Sequence, residues 1–336
     1  MRSLLVVLAF SVVAQAVAAP RPFEVKDLAM LDRVADRSLS PDGRTVALQL
    51  RETDFAANKG KNSLWIVPAA GGKAPTRLHD GASSPRWSAD GKWIYFLAPK
   101  NDVTQLWRIP AAGGTPIEVS ALALDIGSYA ISPDGNAVLF AVELFADCAT
   151  DAAPIECSKK RLDKPADDKS SGKLYDRLFV RHWDTWSDGR RSQLLIASVS
   201  AQGTLGPPKL LSAGIDGDIP SKPFGDASEY AFSPDGSTVY FGVRAAGNEE
   251  AWSTNFDIHS VPSDGSAAPT NLTADNAAWD AYPAPSRDGR TLYYLAMKRP
   301  GFEADRFGIW ALDLASGQKR EIAPGWDRSA SGLKVS

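Results

Sequence analysis

Short runs of apolar or aromatic residues recur along the chain, each broken by the same polar tetrapeptide and then resumed. The tetrapeptide stands as Ser40-Pro41-Asp42-Gly43, Ser132-Pro133-Asp134-Gly135 and Ser233-Pro234-Asp235-Gly236, with looser copies at Ser88-Ala89-Asp90-Gly91 and Ser286-Arg287-Asp288-Gly289. Its chemistry is that of a tight turn. Ser suits the first position of a type I turn, Pro presets φ at the second, and Gly supplies the left-handed residue at the end. Between apolar strands this predicts a β-hairpin with a glycine bulge. A second strand pattern follows in each period, as in Leu64–Pro68, Leu106–Pro110, Phe256–Pro262 and Ile309–Leu314, and a Gly-containing turn and a short last strand such as Arg320-Glu321-Ile322 come after it.

The turns begin at 40, 88, 132, 233 and 286, so they are spaced by 48, 44, 101 and 53 residues. A period of roughly 45 residues carrying four strands is that of a propeller blade. The chain therefore predicts an all-β fold, a β-propeller of the TolB/WD-like kind, over residues 24–336. It has five complete blades, and an incomplete sixth begins at Pro324-Gly325-Trp326-Asp327-Arg328. The long interval predicts an insertion in blade three over 144–175, rich in charge and small residues, rather than a further domain. A degenerate extra blade, suggested by Trp186-Ser187-Asp188-Gly189, is the alternative, and too few strands remain to complete it. Five blades and a stub leave terminal strands unpaired, which predicts that the chain is the front part of a longer protein.

Composition narrows the partners. Of 336 residues, 44% are hydrophobic and 23% charged, and the net charge is −3, which gives no basic footprint for nucleic acid or an anionic membrane. Ten Trp, 23 Pro and 27 Gly favour the all-β reading. The first residues read as a signal peptide, 1–18: Arg2 is the positive start, Leu4–Val13 is an apolar core short for a bilayer span, and Ala16-Val17-Ala18 offers small residues for cleavage. The mature chain is then exported, periplasmic or secreted, without a membrane span.

In an oxidising compartment Cys148 and Cys157, in a polar Pro-containing segment, form a disulfide clipping a loop. Free thiols are the alternative, because spacing does not establish geometry. Three scattered His, none beside the cysteines at ligand spacing, give no metal site, and nothing implies a cofactor. No G-x-S-x-G, P-loop, dinucleotide fingerprint or H-E-x-x-H occurs, so no catalytic residue is assigned.

Two stretches exceed turn chemistry. Arg181-His182-Trp183-Asp184-Thr185-Trp186 and Glu249-Glu250-Ala251-Trp252-Ser253-Thr254-Asn255 mix carboxylates, aromatics and amide or imidazole groups, as a site gripping a polar ligand end would. Tying neighbouring blades together is the plainer role such residues could have. With the exported start and the repeated turns, these stretches resemble the propeller half of the prolyl oligopeptidase family, nearest to its bacterial dipeptidyl-peptidase and acylaminoacyl-peptidase branch. The Ser-Pro-Asp-Gly repeat by itself is shared with TolB-like propellers.

The resemblance implies a propeller that restricts access of short peptides to a following α/β-hydrolase domain with a Ser-Asp-His triad, which is missing here. His182, Trp183, Asp184, Glu250, Trp252 and Asn255 would then contact the peptide's N-terminal end. The competing class is a stand-alone TolB-like periplasmic propeller acting as a protein-binding module. A propeller lyase has too few His to build from.

Overall fold

The turn tetrapeptides work as the sequence requires, through more than Pro and Gly. In the computed structural model, which describes residues 21–164, 172, 174, 175, 178 and 180–335, Ser40 Oγ donates to Asp42 Oδ1 (2.6 Å) and accepts from the Thr45 amide (2.9 Å). Asp42 Oδ1 accepts from the Arg44 amide (3.0 Å), and Gly43, at φ +71°, donates to the Ser40 carbonyl (2.9 Å). The same serine–aspartate bond forms at Ser88, Ser132, Ser233 and Ser286. Ser, Asp and Gly therefore carry the turn, and the proline position tolerates Ala89 and Arg287.

Helix α1 (Val25–Met30) precedes five four-stranded antiparallel sheets. Blade 1 holds β1 (Arg33–Leu39), β2 (Thr45–Asp54), β3 (Lys59–Pro68) and β4 (Thr76–Asp80). Blade 2 holds β5 (Ser83–Trp87), β6 (Trp93–Lys100), β7 (Val103–Pro110) and β8 (Ile117–Glu118). Blade 3 begins with β9 (Ser128–Ile131) and β10 (Ala137–Phe145). An excursion follows, carrying α2 (Pro154–Asp163) and a two-stranded ribbon of β11 (Arg181–His182) and β12 (Thr185–Trp186). The blade resumes with β13 (Arg190–Ser198) and β14 (Lys209–Leu210). Blade 4 holds β15 (Tyr230–Phe232), β16 (Thr238–Val243), β17 (Asp257–Pro262) and β18 (Thr270–Asn271). Blade 5 holds β19 (Asp280–Pro285), β20 (Thr291–Ala296), β21 (Gly308–Asp313) and β22 (Lys319–Ile322). The fold is a β-propeller.

Strand alternation builds the cores between blades rather than within them. On β6, Ile94, Phe96 and Ala98 face blade 1, while Tyr95 and Leu97 face blade 3. On β10, Val138, Phe140, Val142 and Leu144 pack towards blade 2, and Leu139 and Ala141 towards blade 4. Tyr240 and Ile258 join Leu292, Tyr294 and Leu312 between blades 4 and 5. Four such cores serve five blades, and among the described residues none joins blade 5 to blade 1. Val34, Leu39 and Phe55 of blade 1 stay exposed. After β22 the described residues form no strand of a sixth unit: Ala330 donates to the Phe307 carbonyl (2.9 Å), laying this segment back against blade 5.

Towards the centre, blades 2, 3 and 4 are each tied to the blade before. Arg86 meets Asp36 (2.7 Å), Trp87 Nε1 donates to the Ser38 carbonyl (3.0 Å), Tyr129 OH to the Ser84 carbonyl (2.7 Å) and Tyr230 OH to Ser128 Oγ (2.8 Å). Arg86, Trp87 and Tyr129 with their partners face a central cavity of about 1260 Å³ lined in part by β1, β5 and β9.

The insertion differs in extent and content from the loop expected over 144–175. β10 pairs with β13 without a break, from Ala137↔Ser198 to Phe145↔Arg190, so the excursion runs from 146 to 189 and no strand of an extra blade lies within it among the described residues. Its helix α2 has Pro154 in the first turn, Glu156 near the N-terminus and Lys160 and Arg161 in the last turn, in keeping with the helix dipole. Ile155 is buried in the core between blades 2 and 3, and Ser158 Oγ accepts from the Phe145 amide (3.1 Å). Residues Asp167-Asp168-Lys169 and the expected signal peptide 1–18 lie outside the described residues.

A disulfide joins Cys148 to Cys157 with Cα atoms 5.6 Å apart, fastening α2 to the end of β10. Closing so short a loop contributes about 2–3 kcal/mol. A Cys148→Ser/Cys157→Ser chain should lose that much in urea denaturation, and an unchanged midpoint would show that α2 is held by Ile155 and Ser158 without the bridge.

Candidate functional site

Both chemically rich stretches reach one region between blades 3 and 4. The ribbon β11–β12 presents a two-residue turn, Trp183-Asp184, with Trp183 at φ +53°, an uncommon conformation for a bulky residue. Trp183 is 73% exposed and meets Phe224 edge-on at 5.2 Å; Trp186 is also exposed, with the Arg181 guanidinium 5.3 Å over its ring. From blade 4, the 3₁₀ turn Gly247–Glu249 hands the chain to Glu250, which is 7% exposed, and then to the exposed Trp252.

A cavity of about 290 Å³ lies here, and His182 and Glu250 are both in its lining. Its organising group is Arg191, at the start of β13. Arg191 Nη1 and Nη2 donate to the two Glu250 oxygens (2.9 and 2.6 Å), and further contacts reach Asp218 (3.0 Å) and Asp216 (3.3 Å). Burial opposes the guanidinium charge, but the Glu250 hydrogen bonds and the charges of Asp218 and Glu250 outweigh it and raise its pKa above the ordinary value.

The loop carrying the aspartates lies hard against blade 4. A Cβ on Gly217 would come within 2.7 Å of the Arg244 carbonyl oxygen and 2.5 Å of Val243, so only glycine fits between Asp216 and Asp218. Asp218 also accepts from the Ser192 amide (2.7 Å). Lys222 pairs with Glu143 (2.8 Å), and Arg190 with Asp188 (2.7 Å) and Glu143 (3.2 Å). Glu143, Arg190, Lys222 and Pro223 line this cavity and the central one alike, forming a charged wall between them.

The remaining expected contacts are distributed around the cavity. Trp183, Asp184, Trp252 and Asn255 are outside its lining. Asp184 is exposed beside Thr185, and Asn255 turns its amide nitrogen to the Asn276 and Ala278 carbonyls (3.0 and 3.1 Å), at the junction with blade 5. Glu250 is engaged by Arg191. Sequence reasoning missed Arg191, Asp218, Lys222, Glu143 and Arg244. The available signal was Arg190-Arg191 opening an apolar strand, a position where two charges need partners. Among the described residues no group of three or more His, Cys, Asp or Glu is placed to hold a metal ion.

Comparison with known proteins gives a consistent neighbourhood. No family model matches the chain. Dipeptidyl-peptidase 5 of Porphyromonas gingivalis is 29% identical over 301 residues, covering 88% of this chain and 42% of the relative. Dipeptidyl-peptidase 5 of Porphyromonas endodontalis is 30% identical over 288 residues, covering 85% and 40%. Among solved structures, the acylaminoacyl peptidase of Pyrococcus horikoshii superposes with a TM-score of 0.61 at 15% identity, over 92% of this chain and 42% of that one. The β-propeller domain of the trilobed protease from Pyrococcus furiosus superposes with a TM-score of 0.52 at 14% identity, over 90% and 73%. The chain thus spans about two fifths of the length of the curated relatives it matches.

Proposed function

Because the chain corresponds to the propeller portion of a prolyl oligopeptidase family peptidase, we propose that it is the substrate-gating propeller of an exported serine exopeptidase of the dipeptidyl- or acylaminoacyl-peptidase type. Acyl transfer through a serine nucleophile and oxyanion hole would be supplied by a hydrolase domain outside these residues.

The observation that carries the reading is the cavity between blades 3 and 4, where aromatic faces stand beside convergent charges and only a charged wall separates it from the central cavity. Short peptides are its proposed ligands. Glu250 and Asp218 place carboxylates in the cavity wall, the chemistry that pairs with a peptide's α-ammonium. Trp183 and Trp252 offer exposed rings for side chains, with the His182 ring beside Trp183. The Cys148–Cys157 bridge supports an oxidising, extracytoplasmic location, and no helix among the described residues is long and apolar enough to cross a membrane. The sequence relatives carry peptidase names, which disfavours the stand-alone TolB-like binding module.

The purified chain should bind neutral tripeptides and tetrapeptides with a change in tryptophan fluorescence that Trp183→Ala diminishes several-fold, and should not hydrolyse dipeptidyl chromogenic substrates. Hydrolysis above blank, or no binding by any short peptide, would overturn this reading.

A further inference from the structure

The cavity between blades 3 and 4 is lined by four carboxylates and four Arg or Lys side chains, but their pairing is uneven. Each carboxylate in its wall already has a cationic partner: Glu250 and Asp218 have Arg191, Asp188 has Arg190, and Glu143 has Lys222 and Arg190. Of the four Arg and Lys side chains in that wall, three are ion-paired. Arg244 is the exception. Among the described residues no carboxylate lies within ion-pair distance of it. Among the described residues its one hydrogen bond is from Nη1 to the Ser253 carbonyl (3.0 Å), and its buried Nε–H has no acceptor.

Beneath the guanidinium lies the Phe256 ring, 5.0 Å from the carbon that carries the charge. A ring face offers a cation partial compensation and no lone pair in the guanidinium plane. Glu250, Glu303 and Asp218 act on Arg244 only through space, and the first and last are committed to Arg191. Burial therefore dominates and holds its pKa below the ordinary guanidinium value. A fork of five N–H donors, of which one among the described residues has a protein acceptor, in the wall of a cavity, is prepared for a planar anion.

We infer that Arg244 is the anion-recognition residue of this cavity and that it takes a carboxylate of the bound peptide, either an acidic side chain or a free C-terminus. The inference rests on the peptide-binding reading for the substrate class, while the anion site itself does not depend on it. Charge-assisted, bidentate hydrogen bonds made in a partly dehydrated cavity give discrimination of tenfold or more between a carboxylate and its amide isostere.

The test uses the purified chain and three peptides: Ala-Glu-Ala-Ala amide, Ala-Gln-Ala-Ala amide, and Ala-Gln-Ala-Ala with a free C-terminus. Affinities are measured by calorimetry and, for the contact itself, by the ¹⁵N-resolved Nε–H resonance of Arg244. The expected result is that one carboxylate-bearing peptide binds at least tenfold more tightly than the amidated Gln peptide, and which one does identifies the source of the carboxylate. Arg244→Met should abolish the preference and Arg244→Lys retain part of it, with circular dichroism showing that both variants keep the fold.

Equal affinities for all three peptides, unaffected by Arg244→Met, would overturn the inference and leave peptide binding standing. If no peptide binds, succinate alone decides. Succinate moving the Arg244 resonance in the wild type upholds the anion site and removes the peptide reading; no response to succinate removes both.

Discussion

An Arg191→Met chain should be less stable than the wild type by about 3–5 kcal/mol, the ordinary cost of removing one partner from a buried ion pair. The geometry argues for the full effect. Arg191 is the single cation bonded to both Glu250 oxygens, and it also reaches Asp218; the two carboxylates are 8% and 10% exposed at the side chain. Without the guanidinium, Glu250 has no cation within bonding distance, and Asp218 keeps only the longer contact to Lys222 (3.5 Å) and the Ser192 amide. Both charges are then held where water is scarce and repel one another.

Urea denaturation read by tryptophan fluorescence should show a lower midpoint with an unchanged slope. Adding Glu250→Gln to Arg191→Met should recover a large part of the loss, because the orphaned charge is gone. A loss below about 1 kcal/mol, or no recovery in the double variant, would mean that the cluster is hydrated and behaves as a surface network.

The second large effect belongs to Asp280, at the start of β19. This carboxyl is 1% exposed; Oδ1 accepts from Asn276 Nδ2 (2.7 Å) and Oδ2 has no hydrogen-bond partner. Burial pushes its pKa up to about 7, against the hydrogen bonds from Asn276 and Thr273 and with the help of the charge on Asp257. Since the folded value lies above the unfolded one, the folded chain keeps a proton that the unfolded chain gives up. The stability so gained is whole below about pH 4 and is lost as the pH rises through 7. At about 1.4 kcal/mol for each pH unit across that window, the span amounts to about 4 kcal/mol.

Asp280→Asn removes this dependence while keeping an oxygen for Asn276. The variant should exceed the wild type by about 3 kcal/mol at pH 8 and show little or no advantage at pH 4 by thermal or urea unfolding. Parallel stability curves from pH 4 to 8 would show that Asp280 ionises without penalty in the folded chain.

How far the sequence could be read depended on whether an interaction was local. The turn at Ser40 is complete within six residues, so its hydrogen bonds are implied by the tetrapeptide, and even Ser88-Ala89-Asp90-Gly91 keeps the groups that matter. The blade period follows from the same repeat, and the alternation on β6 and β10 from the apolar pattern. Helix α2 had its signals at Pro154, Glu156 and Lys160, yet charge and small residues made the segment read as a loop. The charged cluster was legible only from one side. Glu250 stood out by its neighbours, whereas Arg191, Asp218, Lys222 and Glu143 come from separate segments that only the fold brings together. Asn255, singled out beside Glu250, turns to the next blade instead, since consecutive residues of a loop need not share a direction.

Having four cores for five blades sets how the molecule resists disorder. Blades 2, 3 and 4 are each clamped on both faces, and blades 1 and 5 on one. In an array whose members contact only their neighbours, opening free energies rise from the ends towards the middle. The hairpin of β9 and β10 then sits at the slowest-exchanging position, and β1 and β2 among the fastest. The cavity between blades 3 and 4 lies on the rigid side of that gradient, so its charges keep their places while the outer blades breathe.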